Sequence, residues 1–279
     1  MRLKVENLSK IFPTRHGTLS ALEEINFEAR EGEFLCLVGP SGCGKSTLLN
    51  IIAGLQPPDQ GRVWMNGEEV KGPGTDRIVI FQDAGLFPWL NVRQNVGYGL
   101  KIAGVPPQQR HQIAMSFLKM VHLSRFAGSY VHELSGGMRQ RVAIARALAM
   151  NPKVLLLDEP FAALDSQTRD ILSGELQDIW ARTKKTIVFV THNVREAVCL
   201  GDRVLVLSSQ PGRIKKELCV TLPRPRSLNS VEVGELASLI LKELREEIER
   251  VMSKEMDSDW STQKSDLFDL IDRNLGSGI

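Results

Sequence analysis

Apolar positions along the chain follow two regimes. Five short continuous runs have the length and β-branched content of strands covered on both faces: Phe34-Leu35-Cys36-Leu37-Val38, Ile78-Val79-Ile80-Phe81, Val154-Leu155-Leu156-Leu157, Thr186-Ile187-Val188-Phe189-Val190 and Val204-Leu205-Val206-Leu207. Helical patterns separate them, Lys45 to Leu55 behind the first run and Gln167 to Arg182 behind the third. This alternation predicts an α/β core of parallel strands flanked by helices. Between Asp83 and Met150 the strand signal disappears, and Val92 to Ala103, Gln108 to Val121 and Met138 to Met150 each read as helix. A helical subdomain inserted at about 83–150 is the expectation. Ahead of it, turn signals at Gly32, Gly61 and Asn66-Gly67 divide residues 1–82 into short strands around the Lys45 helix.

The pattern changes again after Pro223-Arg224-Pro225-Arg226. Leu236, Ile240, Leu244, Ile248 and Met252 recur every four residues amid Lys, Arg and Glu, which predicts an amphipathic helix. A shorter stripe, Leu267, Leu270, Ile271 and Leu275, opens after Ser265 and stops at Gly276. The chain thus divides into a main domain, 1–222, and a helical extension, 223–279, expected to dock as a structural appendage.

Composition narrows the classes of function. A net charge of +2, with no basic run interleaved with aromatics, argues against a nucleic-acid partner. Hydrophobic residues at 42% and charged ones at 24% fit a globular chain and exclude disorder. No uninterrupted apolar run is long enough to span a bilayer, and Met1-Arg2-Leu3-Lys4-Val5 enters a strand-like pattern directly, so a cytosolic location is expected. Cys36, Cys43, Cys199 and Cys219 lack metal-ligand spacing and read as reduced thiols. Cys43, between Gly42 and Gly44, is expected to be open to alkylation when the loop is empty, with no catalytic role, because the loop offers its backbone there.

Three segments carry chemistry. Gly39-Pro40-Ser41-Gly42-Cys43-Gly44-Lys45-Ser46-Thr47 lies on the turn from the Phe34 strand into the Lys45 helix. That context makes it a phosphate cradle: backbone N–H groups and the helix dipole face a β-phosphate, Lys45 reaches the β/γ oxygens, and Ser46 is placed for Mg²⁺. In Leu134-Ser135-Gly136-Gly137-Met138-Arg139-Gln140-Arg141, Ser135 stands at the start of a helix and Gly136-Gly137 let a phosphate approach its N-terminus. The Val154 run ends in Asp158-Glu159, two carboxylates at the C-terminal end of a buried strand, where ligands of parallel sheets bind.

The Leu134–Arg141 segment resembles the signature sequence of the ATP-binding cassette (ABC) family, which pairs it with a P-loop in this order. Residues 1 to about 222 are covered by the resemblance, which implies a P-loop NTPase core with an antiparallel β subdomain and an inserted helical signature subdomain. It implies ATP and Mg²⁺ as ligands, Asp158 holding the metal through water and Glu159 polarising the attacking water. Gln82 matches the glutamine that reaches both metal and water, and Ala163-Leu164-Asp165 matches the D-loop along the dimer interface. His192, after the Thr186 strand and Thr191, matches the switch histidine that bonds the γ-phosphate. Phe12 stands where the family sets an aromatic ring, more usually Tyr, against adenine.

Within the family, Gly72-Pro73-Gly74-Thr75-Asp76-Arg77, Gln82 and Leu86-Phe87-Pro88-Trp89-Leu90-Asn91-Val92 are similar to the importer branch serving nitrate, sulfonate, taurine or bicarbonate. One cradle and one lid per chain imply a head-to-tail dimer, each Ser135-Gly136-Gly137 closing on the ATP held by the other chain's Lys45. Lacking spans, such a subunit works on the cytoplasmic side of the inner membrane, driving separate permease subunits fed by an extracytoplasmic substrate-binding protein. Trp89 either meets the permease or packs inside the helical subdomain. Two rivals share the P-loop. A soluble ABC ATPase of DNA repair or translation usually carries two cassettes or a long coiled coil, and a P-loop kinase has no use for the signature or His192.

Overall fold

The computed structural model describes residues 2–15 and 17–255. The chain opens with a long hairpin, β1 (Arg2–Thr14) against β2 (Gly17–Arg30), where turn signals had suggested shorter strands. Register shifts between Val5 and Ile11 bend it without ending it. With β4 (Gln60–Met65) and the two-residue β5 (Glu68–Glu69) it forms a four-stranded antiparallel sheet in the order β2-β1-β4-β5.

All five apolar runs enter a second, six-stranded sheet. Its strands are β3 (Phe34–Val38), β6 (Arg77–Ile80), β7 (Val154–Asp158), β8 (Thr186–Thr191), β9 (Arg203–Leu207) and β10 (Ile214–Cys219), in the order β10-β9-β3-β8-β7-β6. Every pairing is parallel except that of β10 at the edge. Successive residues alternate between two cores. Phe34, Cys36, Val38, Leu155, Leu157, Ile187 and Phe189 join the helical side, whereas Leu35, Leu37, Leu156, Val188 and Val190 join α1 (Lys45–Ile52) and the antiparallel sheet. Burial on both faces is the reason these strands are continuously apolar.

The helical insertion comprises α2 (Val92–Ile102), α3 (Pro107–Met120) and α4 (Gly136–Ala149). A capping box between Asn91 and Gln94 starts α2. Buried Asn95 donates to Phe87 O, Leu90 O and Asn91 O and accepts from Phe87 N, which fixes the loop leading in. Back in the α/β frame, α5 (Ser166–Thr183) and α6 (Val194–Leu200) flank β8 in sequence. No helix among the described residues is long and apolar enough to cross a membrane.

Pro223–Arg226 is a strap. Buried Arg226 donates to Val198 O, Gly201 O, Val220 O and Leu222 O, while Gln177 bonds its backbone N–H and carbonyl. Arg224 lies 4.4 Å from the Trp180 ring centroid and pairs with Asp202. The following α7 (Val231–Glu255) sets Val233, Ala237, Ile240 and Leu244 into the helical-side core, and Lys215 pairs with its Glu243 and Glu247. The side chains of Ile248 and Met252 and the stripe from Leu267 to Leu275 lie outside the described residues.

Candidate functional site

The C-terminal ends of β3, β7 and β8 bring the chemistry together. After β3 the chain turns through Gly39–Gly44 into α1, which starts without a side-chain cap, so its first amides face outward for an anion. Gly44 takes φ +95, and a Cβ there would lie 2.7 Å from Leu22 Cδ2 and 2.8 Å from Ala21 O, so the turn needs glycine twice over. The same contacts seat the β1–β2 hairpin against the loop. Phe12 is half-buried on that hairpin, opposite Leu19, with Lys10 Nζ 5.6 Å from its ring.

Lys45 is buried and arches back over the loop, donating to Gly39 O at 2.8 Å and Pro40 O at 2.9 Å. The charge is thereby held against the carbonyls of the turn. Ser46 donates to Asp158 Oδ1 at 3.0 Å, so β7 delivers its first carboxylate to the first turn of α1. Both groups are hard oxygen donors, as Mg²⁺ requires. Burial raises the Asp158 carboxyl above its ordinary value, and a cation there would favour the ionised form.

Glu159 leaves the strand in the left-handed region, φ 45, a conformation few non-glycine residues hold, with its N–H on Val190 O. That turn aims its carboxylate at His192, with Nδ1 2.7 Å from Oε2. The hydrogen bond from His192 lowers the Glu159 carboxyl below its ordinary range, and the same bond raises His192. Adjacent carboxylates are therefore pushed in opposite directions, Asp158 up by burial and Glu159 down by its partner.

Other expected site residues fall elsewhere in the chain. Gln82, two residues past β6, is exposed and lines a cleft with Asp83, Gly136, Gln140, Pro160 and Leu164. No hydrogen bond among the described residues joins it to Ser46 or Asp158. Ser135 caps α4 through Met138 N, and Asp165 caps α5 through Thr168 N and Oγ1. Gly136 and Gly137 also serve packing, since a Cβ at Gly137 would lie 2.7 Å from Thr168 Cγ2. Cys43 corrects an expectation: its side chain is fully buried beneath the turn, and burial raises the thiol, so it is shielded from alkylation. Trp89 is 70% exposed and touches Phe87, whose centroid is 5.5 Å away, so it is not part of the core.

Arg146 is a functional candidate that the sequence hid. From α4 it donates to Ala84 O at 2.8 Å and Gly85 O at 2.8 Å and lies over the Phe87 ring, tying the signature helix to the segment between Gln82 and Trp89. Its partners are some sixty positions away, so no local pattern marks it.

Comparison with known proteins identifies the family of the chain. The family model described as ABC transporter matches residues 22–162. The chain is 54% identical over 248 residues to an uncharacterized ABC transporter ATP-binding protein of Methanocaldococcus jannaschii, covering 89% of this chain and 93% of that one. It is 51% identical to the nitrate import ATP-binding protein NrtD of Synechocystis sp., over 80% of this chain and 84% of that one. Identity to the taurine import ATP-binding protein TauB of Rhizobium johnstonii is 47%, over 90% and 96% of the two chains. Among solved structures, an ATP-binding cassette dimer in a post-hydrolysis state bound to ADP and Pi superposes with a TM-score of 0.69 and 34% identity, over 79% of this chain and all of that one. The chain therefore belongs to the ABC transporter family, as one of its ATP-binding, ATP-hydrolysing subunits.

Proposed function

We propose that this subunit drives uptake of a small anion of the nitrate or sulfonate class, working as a head-to-tail dimer of two copies beneath a separate permease. The observation that carries hydrolysis is the pair of contacts at the strand ends, Ser46 to Asp158 at 3.0 Å and Glu159 to His192 at 2.7 Å. The anion class rests on the two import proteins above, and the relatives reported are named for transport, not for repair or translation.

In this scheme the Gly39–Thr47 loop and Lys45 hold the β- and γ-phosphates, with Phe12 against the base. Ser46 and Asp158, with Gln82 reaching in, hold Mg²⁺, which when bound neutralises charge on the phosphate oxygens. Glu159, kept ionised by His192, accepts a proton from the attacking water, and His192 donates to the γ-phosphate. The lid comes from the second copy, through Ser135, Gly136, Gly137 and the neighbouring Asp165. The packing of Gly137 on Thr168 and Leu172 supports this arrangement, because it anchors the lid to α5 of its own chain.

Coupling runs through the Gln82–Trp89 segment, which Arg146 holds to α4. Trp89 stands out beside a cleft lined by Arg93, Lys101, Arg110 and His111, a cationic and aromatic surface suited to a permease loop. Docking there places the subunit at the cytoplasmic face of the membrane, below a permease supplied by a substrate-binding protein outside. Glu159→Gln tests the hydrolytic scheme: it should keep ATP binding, lower turnover by roughly 10²–10⁴-fold, and accumulate as an ATP-bound dimer on size exclusion. Wild-type turnover in that variant would remove Glu159 from the chemistry.

A further inference from the structure

Glu196 is 3% exposed, yet nothing in the phosphate chemistry above uses it. It lies in α6, four residues beyond His192, and its two oxygens serve two different elements. Oε2 accepts from Thr191 Oγ1 at 2.7 Å, and that hydroxyl in turn accepts from Asn193 N at 3.0 Å. Both chain neighbours of His192 are thereby pinned. Oε1 faces Arg169 Nε of α5 at 3.3 Å, an ion pair, not an aligned hydrogen bond. Arg169 Nη2 donates to Leu164 O at 2.9 Å, immediately before the Asp165 cap.

The segment from Glu159 to Asp165 is therefore gripped at both ends by the β8–α6 corner. At its start, Glu159 N–H bonds Val190 O and its carboxylate bonds His192. At its end, Leu164 is reached through Arg169 and Glu196 from Thr191. Between them, Ala162 N bonds Glu159 O and Leu164 N bonds Phe161 O, so the segment is a run of tight turns with little slack. A buried ion pair is weak support for stability, because apolar side chains of similar volume often serve as well. Its use here is geometric: it ties α5 to α6 at 3.3 Å.

We propose that Glu196 and Arg169 are positioning residues for ATP hydrolysis: they brace the His192 loop against the 159–165 segment, fixing His192 and Glu159 relative to each other and to the D-loop. The inference rests on Glu159 and His192 acting at the γ-phosphate. Neither brace residue contacts substrate, so removing the brace loosens the catalytic pair and leaves the cradle alone. Small misplacements of catalytic groups are costly in rate, up to about 10²-fold for roughly 1 Å.

The test uses the full chain at concentrations that support the dimer, comparing Arg169→Met, Glu196→Gln, the double variant and Arg169→Lys for kcat, KM for ATP and thermal midpoint. Arg169→Met and Glu196→Gln should each lower kcat by about tenfold with KM within about twofold, and the double should be no slower than the slower single, as expected of groups acting as one unit. Arg169→Lys restores the charge but offers one nitrogen where the brace uses two, Nε on Glu196 and Nη2 on Leu164 O, so it should regain only part of the rate. Arg169 lies at the edge of the core, so its Met variant remains informative if Glu196→Gln folds poorly. Unchanged kcat in folded Arg169→Met, losses that multiply in the double, or a rise in KM alone would overturn the brace. Glu159→Gln in the same assay separates the two levels: a slow Glu159→Gln beside a normal Arg169→Met removes only the brace, whereas normal turnover in Glu159→Gln removes the scheme beneath it.

Discussion

Gly137→Ala isolates what a signature glycine does inside its own chain. A Cβ at this position would lie 2.7 Å from Thr168 Cγ2, closer than side-chain carbons approach, and 3.6 Å from Leu172 Cδ1, an ordinary contact. Thr168 has no free way to yield. Its hydroxyl donates to Asp165 Oδ2 at 2.7 Å and its N–H to Asp165 Oδ1 at 2.9 Å, so rotating it costs the α5 cap. Overpacking of this kind costs about 1–3 kcal/mol, and replacing a helical glycine returns about 0.5–1 kcal/mol. At the centre of both ranges the overpacking term wins, leaving a net loss of about 1 kcal/mol. For a chain of this size that is a fall in thermal midpoint of roughly 2–4 °C. Urea unfolding of the full chain followed by circular dichroism reads the same loss as a lower midpoint at unchanged slope. Thr168→Ser deletes Cγ2 and keeps the hydroxyl on Asp165, so Gly137→Ala/Thr168→Ser should recover the loss. A Gly137→Ala chain as stable as wild type, or equally destabilised in both backgrounds, would refute the steric argument. Recovered stability without recovered hydrolysis would assign the glycine a second role at a phosphate.

Two further outcomes follow from the site and its surroundings. His192 should titrate above its ordinary 6.5 because of the Glu159 hydrogen bond, and in Glu159→Gln, where burial is left to act, its NMR titration should move downward. The pair's contribution to stability is complete below 6.5 at the alkaline end and fades as pH rises through the elevated His192 value; at the acid end it fades as pH falls through the Glu159 value, below 4.5. A His192 titration identical in both proteins would contradict the contact. Trp89→Ala should leave the thermal midpoint of the isolated subunit nearly unchanged, because the side chain is largely in solvent, while weakening co-purification with the permease. A large fall in that midpoint would place Trp89 in the core.

The doubly covered sheet was legible because its strands read as unbroken apolar runs, and the P-loop because one short segment fixes the turn, the helix start and the lysine together. Other parts left no local mark. β10 reads Ile-Lys-Lys-Glu-Leu-Cys and lies half in solvent at the sheet edge, so it carries no buried-strand signal. The hairpin ran longer than its turn signals because register shifts absorb the irregular positions between Val5 and Ile11. Phe81 looked like the end of a strand, but β6 stops at Ile80 and Phe81 is exposed. Proline and arginine at 223–226 resemble a linker in composition. Only the fold brings the carbonyls of Val198 and Gly201 to Arg226 and makes the segment a strap. Arg146, Glu196 and Arg169 were illegible for the same reason: each acts on atoms that the chain order alone does not bring near.

The shared site is tested most directly by mixing two inactive chains. Lys45→Ala damages the cradle and Ser135→Arg the lid, so each variant alone forms dimers with no intact site. In a mixed dimer both defects fall on one site, and the other combines the undamaged cradle of one chain with the undamaged lid of its partner. At equal concentrations half the dimers are mixed and half their sites intact, so ATP hydrolysis should return to roughly a quarter of the wild-type rate. Failure to recover at any ratio, with mixed dimers demonstrably formed, would contradict the head-to-tail arrangement.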